Sequence, residues 1–130
     1  MTTPFWCLVL VAGLPIGLAL VGDYFRHADL GSVDNRDPRG QAARLQGAGA
    51  RAYAAQANAW EALPLFSVAV LVAHLSGGDP SSSAIASVVF LIARVAHAVF
   101  YIADQSTLRS VSFLVAFGCC IWLVAIAAGA

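Results

Sequence analysis

Four runs of this chain are each long and apolar enough to cross a lipid bilayer, and only short polar breaks separate them. A spanning helix needs about 20 mainly apolar residues. The runs cover about 5–25, 38–75, 83–103 and 108–129. The second begins in water, with Asp34, Asn35 or Asp37 as its cap and Pro38 in its first turn, and enters the bilayer near Ala48. Ser76-Gly77-Gly78-Asp79-Pro80-Ser81 and Asp104-Gln105-Ser106-Thr107 read as tight turns. Pro15 and Pro64 fall inside spans, where a proline bends a helix without ending it. The expected fold class is therefore an all-α membrane protein: a four-transmembrane-helix bundle, one domain over residues 1–130, with successive helices packed as antiparallel neighbours.

Composition supports this and removes other classes. Of 130 residues, 60% are hydrophobic and 11% charged, against roughly 25% charged in a soluble domain. Formal net charge is zero, and every strong cation is an arginine. No basic stripe of the kind that binds nucleic acid is present. Cys7, Cys119 and Cys120 lie in apolar runs without metal-ligand spacing, so they read as small hydrophobes and no metal site is expected. The N-terminal run has no basic n-region and reads as a retained helix. The first and third connections carry Arg26, Arg36, Arg39, Arg44 and Arg109, while the second connection and both ends carry no arginine or lysine. The positive-inside rule then puts loops one and three in the cytoplasm and both termini outside.

Ionisable groups inside a span are costly and need partners or a water-filled cavity. Arg51, Asn58 and Glu61 share a face of the second helix, and Arg94, His97 and Tyr101 share a face of the third. Glu61 lies about ten residues, or ~15 Å, in from the arginine-bearing end, and Arg94 lies ~14 Å deep on the returning helix. Opposite charges at equal depth predict a Glu61–Arg94 pair, direct or through water. His97 and Tyr101 sit nearer the mouth, with Arg109 at the start of the fourth helix. The bland reading is that these groups only bind helices together. A rim of His97, Tyr101 and Arg109 at a water-facing mouth suits an anion-binding site better. His74, beside Ser76, reads as interfacial.

The run Arg51-Ala52-Tyr53-Ala54-Ala55-Gln56-Ala57-Asn58-Ala59-Trp60-Glu61-Ala62-Leu63-Pro64-Leu65-Phe66 resembles the second-helix signature of the MAPEG family, the membrane-associated proteins of eicosanoid and glutathione metabolism. Ala93-Arg94-Val95-Ala96-His97-Ala98-Val99-Phe100-Tyr101, followed by Leu108-Arg109-Ser110-Val111, resembles the third- and fourth-helix motif of the same family. The resemblance implies a homotrimer that binds glutathione, or another low-molecular-weight thiol, between subunits and takes lipophilic small-molecule substrates from membrane lipid. It implies thiol binding by Arg51, Asn58, Glu61, Arg94, His97, Tyr101 and Ser110, and a catalytic role for Arg109 beside the thiol. Arg26 matches the family's arginine after the first helix only loosely. Ala54 stands where the glutathione-dependent members that the chain resembles carry an arginine, Ala57 where one of them carries a second, and Phe113 replaces a tyrosine.

These readings lead to a membrane-embedded glutathione-dependent transferase or peroxidase acting on lipophilic electrophiles or lipid hydroperoxides. The alternative is a non-catalytic lipid-binding or scaffold member, which Ala54 and Ala57 favour. A transport role fits poorly, because the outer half of the bundle is nearly bare of polar groups.

Overall fold

The computed structural model describes residues 1–130 and is built from helices joined by short connections: α1 (Thr3–Leu30), α2 (Pro38–Ala42), α3 (Gly47–Leu75), α4 (Pro80–Ile102) and α5 (Ser106–Ala128). The four long helices are each long and apolar enough to span a bilayer. Only 29 of the 130 residues are buried, and large apolar side chains such as Trp6, Leu20, Trp60, Ile92 and Leu114 face outward. That distribution is stable only where the surroundings are themselves apolar.

α3 and α4 form the centre. α1 packs on both, α5 packs on both, and α1 and α5 do not touch. α3 achieves this with a stripe of small residues. Ala52, Ala55 and Ala59 are at most 2% exposed, followed by Phe66, Ala69, Val70 and Ala73 at similar burial. Small side chains let helix backbones approach closely, which drives helix association in lipid. Farther along, the Phe66 and Phe90 rings stack at 3.9 Å between centroids across α3 and α4, within a cluster that includes Cys7, Val11, Cys119, Cys120 and Leu123. The three cysteines are thus small core residues with free thiols.

The helix ends show why the boundaries fall where they do. α1 continues past the expected end near Phe25 to Leu30, and Gly31, at φ 80°, closes it by donating to the His27 carbonyl. The added turn holds Arg26, which is 4% exposed and bonded through all three nitrogens: Nε donates to Gln41 Oε1 at 2.7 Å, one amino group to Asp23 at 2.7 Å, the other to the Asp34 carbonyl at 2.7 Å. Gln41 also accepts from the Asp34 amide and donates to the Ser32 carbonyl. Asp23 in turn accepts from the Tyr53 hydroxyl at 3.0 Å. The Tyr53 ring lies so close to Gly22 that a Cβ there would come within 2.7 Å of it.

This network corrects one expectation. The helix expected to run unbroken over 38–75 is two helices. Asp37 caps α2 through the Gly40 amide and Pro38 opens it, as the sequence suggests. Arg26 then draws Gln41 back over the end of α1, so the chain turns at residues 43–46. Gly47 restarts the helix at φ 57°, a conformation that glycine adopts without steric cost.

At the opposite end, Asp79 caps α4 by accepting from the Ser82 amide at 2.7 Å, and Pro80 opens the helix three residues earlier than expected. His74 is exposed there and meets the edge of Phe5 at 4.8 Å, as an interfacial side chain would. Between α4 and α5, Asp104 takes a left-handed backbone at φ 60°. Arg51 holds this turn: Nε donates to the Ile102 carbonyl at 2.9 Å and the guanidinium pairs with Asp104 at 3.5 Å.

Replacing Arg26 by Ala removes three charge-assisted hydrogen bonds worth about 1.5–3 kcal/mol each in a partly buried setting. Trypsin is expected to cut the Arg26→Ala variant after Arg36, Arg39 or Arg44 at least about tenfold faster than the parent, with unchanged far-ultraviolet circular dichroism. The Ser82 amide holds the Asp79 carboxyl below the usual carboxylate range. A carboxyl depressed on folding stabilises above its unfolded pKa of about 3.9, and that contribution is lost as pH falls through the folded value. Asp79→Ala should therefore melt earlier than the parent at pH 7, and the gap between the two melting curves should close as pH falls and the Asp79 carboxyl takes up its proton.

Candidate functional site

The polar face of α4 is turned inward. Arg94 and His97 are 2% and 3% exposed, one turn apart on the side that packs against α3 and α5. One Arg94 amino group donates to the Asn58 side-chain oxygen at 2.8 Å and to the Asn58 backbone carbonyl at 3.1 Å. The Asn58 amide nitrogen then donates to Glu61 at 3.1 Å. The expected Glu61–Arg94 pair is therefore not made directly. The two charges do lie at one level, but the Asn58 side chain stands between them and serves both: its oxygen faces the cation and its nitrogen the carboxylate. An amide can do this because it carries an acceptor and donors on one planar group. Arg94 Nε and His97 Nδ1 remain buried without partners.

Nearer the α4–α5 turn, the His97 ring meets the Tyr101 ring edge-on at 5.6 Å and Phe113 at 6.3 Å. The Arg109 guanidinium carbon lies 4.5 Å from the centre of the Tyr101 ring, a cation–π contact that fixes the charge without neutralising it. Ser110 bonds back to the Ser106 carbonyl at 3.0 Å, along its own helix.

Two clefts adjoin at Asn58 and Phe113. The first, about 360 Å³, is lined by Asn58, His97, Tyr101, Arg109, Ser110, Phe113 and Leu114. The second, about 250 Å³, runs deeper, with Glu61 and Arg94 set among apolar walls that include Phe90, Phe117 and Cys120. Of the residues expected from sequence, Asn58, His97, Tyr101, Arg109 and Ser110 share the first cleft, and Glu61 and Arg94 meet Asn58 in the second. Arg51 lies on neither, its guanidinium engaged at the α4–α5 turn. Arg26 is likewise a connection-holding residue.

A profile of the MAPEG family matches residues 3–129. The chain belongs to the MAPEG family. Comparison with curated proteins and with solved structures found no match. MAPEG membership supports membrane-bound, glutathione-related transferase or isomerase roles in general. It also gives the departures from the family pattern a physical address. Ala57 opens on a third cleft of about 660 Å³ between α1, α2 and α3, together with Asp23, Arg39 and Tyr53. Ala54 lies on none of these clefts, whereas Phe113, which takes a tyrosine's place, lines both of those that hold Asn58.

Sequence reading named Phe113 only as a departure, took Cys120 for a small hydrophobe and did not single out Phe117. Their spacing, four and then three residues apart on α5, was a usable signal for one face. An all-round apolar helix hides it, because hydropathy does not separate a cleft-lining Phe from a lipid-facing one.

Asn58→Leu leaves the Arg94 guanidinium with one backbone acceptor and the Glu61 carboxylate without a donor. The variant should lose about 1.5–3 kcal/mol of stability, read as a lower midpoint of thermal unfolding in detergent, while Asn58→Gln, which keeps the amide, should lose less.

Proposed function

We propose that the chain is a membrane-embedded glutathione-dependent transferase or peroxidase that acts on lipophilic electrophiles or lipid hydroperoxides. The observation that carries this reading is the junction of two clefts of unlike character at Asn58 and Phe113: a polar one with a fixed cation, and an apolar one at membrane depth. A hydrophilic thiol suits the first and a lipophilic partner the second, so the two reactants would meet at the shared wall.

The donor set fits glutathione. His97 lines the polar cleft, and its buried Nδ1 has no partner within the protein. Glu61, exposed and held on one oxygen by Asn58, is free to accept from an ammonium group. Bound there, glutathione would supply a nucleophilic sulfur, which is reactive as the thiolate. Arg109 holds positive charge where that sulfur would lie and so favours its ionised form. Tyr101 keeps the guanidinium in place from below. Asn58, His97, Tyr101 and Ser110 orient the polar backbone, and Glu61 and Arg94 mark the boundary with the apolar cleft. A homotrimer, with loops one and three in the cytoplasm, completes the proposal. The arginines concentrated at that end support this orientation.

Calorimetry with glutathione on the detergent-purified protein tests the reading, with Arg109→Ala and Ala54→Arg alongside. Saturable binding in the parent, little changed in Arg109→Ala but with turnover of a lipophilic electrophile reduced at least about tenfold, is the expected result. Binding that appears only in Ala54→Arg would mean another low-molecular-weight thiol or a lipid ligand, as in a non-catalytic member. Undiminished turnover in Arg109→Ala would remove Arg109 from the mechanism.

A further inference from the structure

Asn58 lines both clefts and is bonded to both charges that meet at their junction. Arg94 can only donate hydrogen bonds and the Glu61 carboxylate can only accept them, so an amide between the two has one workable orientation. Asn58 adopts it, with its oxygen 2.8 Å from the Arg94 amino group and its nitrogen 3.1 Å from Glu61. The same amino group reaches the Asn58 backbone carbonyl at 3.1 Å, so the residue is held at its root and at its tip. Opposite charges at one level of an apolar bundle attract strongly, and a direct pair would draw the carboxylate against α4. The amide keeps them apart. Glu61 stays exposed on the wall of the deeper cleft, with one oxygen on Asn58 and the other without a partner. Arg94 is 2% exposed, so little of it can touch a ligand, and its influence reaches the clefts through Asn58.

We propose that Arg94 is a positioning residue: by fixing the Asn58 amide it presents the Glu61 carboxylate to an ammonium group at the junction of the clefts. The proposal rests on the thiol-site reading above and narrows it. A site built this way takes a low-molecular-weight thiol with a free ammonium group and discriminates against one whose amine is missing or acylated, because the carboxylate then loses a charge-assisted hydrogen bond. The residue types at these positions are particular. Asn58 and Glu61 are three apart on α3, so amide and carboxylate meet on one face. Aspartate at 58 would give Arg94 its acceptor but give Glu61 no donor. A direct contact between Arg94 and the ligand would act on any thiol, whereas an effect passed through Glu61 acts only on one that carries the ammonium group.

Two measurements on the full chain test it. Glu61 is the chain's only glutamate, and Asn35, in the α1–α2 connection, is the only other asparagine. Glutamate labelled with ¹³C at Cδ and asparagine labelled with ¹⁵N at Nδ2 therefore report the Asn58–Glu61 contact. Rotational-echo double-resonance NMR in lipid bilayers is expected to show dipolar dephasing across this contact in the parent. The dephasing should persist in Arg94→Lys, whose ammonium still donates to the amide oxygen, and be lost in Arg94→Leu. Calorimetry then compares glutathione with the analogue in which hydrogen replaces the α-amino group. Arg94→Leu should weaken glutathione about ten- to a hundredfold, the effect of one lost charge-assisted hydrogen bond, and leave the analogue's weaker binding nearly unchanged. Arg94→Lys should restore most of the difference. Because Arg94→Leu removes a buried cation, Asn58→Asp, which keeps an acceptor for Arg94, provides a second reading and should show the same selective loss. Dephasing unchanged in Arg94→Leu, equal binding of the two compounds by the parent, or equal weakening of both in the variants would overturn the proposal. A parent that binds neither compound would instead overturn the thiol-site reading, and the dephasing would still decide whether Arg94 sets the Asn58–Glu61 contact.

Discussion

A guanidinium buried among apolar helices has few acceptors to choose from, and in this bundle Arg94 takes two of them from a single residue, Asn58. Water is scarce at that depth, so the helices themselves must satisfy the charge. The bond pins α4 to α3 at one register. Once that register holds, His97 faces inward one turn along, Tyr101 follows at the mouth, and Glu61 is placed within reach of the same amide. Small residues on α3 make the contact possible, since Ala55 and Ala59 let α4 come close enough for the Arg94–Asn58 distance to be met.

The arginine-rich end is organised by the same chemistry with different partners. Arg26 gathers Asp23, Asp34 and Gln41, and Arg51 ties the α4–α5 turn to α3. Both guanidinium groups are engaged in holding connections. Their role is to hold the connections that surround the clefts, and in the second case to hold the start of α5, which carries Arg109. Arg109 is the contrast. It has no carboxylate partner, and the Tyr101 ring fixes its position while leaving its charge available. In the proposed thiol site, that distinction between engaged and unpaired arginines matters more than their number.

The clefts meet along a wall shared by Asn58 and Phe113, so a polar ligand and a lipid-derived one would touch without either leaving its preferred surroundings. Phe113, where the family resemblance implies a tyrosine, brings no hydroxyl to either cleft and keeps the shared wall apolar. Ala57 lies on the far cleft, so its missing charge bears less on the Asn58 site than its place in the motif suggests.

Hydropathy alone determined four spanning helices, because burial of backbone hydrogen bonds in lipid leaves no other solution for runs of this length. Helical spacing alone placed Asn58 with Glu61 and Arg94 with His97 and Tyr101 on common faces, because 3.6 residues per turn is a local rule. The tertiary structure decided what local rules do not reach. It put an amide between Glu61 and Arg94 where charge and depth suggested a pair, since side-chain geometry at the α3–α4 contact sets which atoms meet. It broke the helix expected from Pro38 onward, since Arg26, fifteen residues before Gln41, claims that side chain across space. It also separated Arg26 and Arg51, which hold connections, from Arg109, which lines the polar cleft without a carboxylate partner, since partners for a charge are chosen by distance and not by order along the chain.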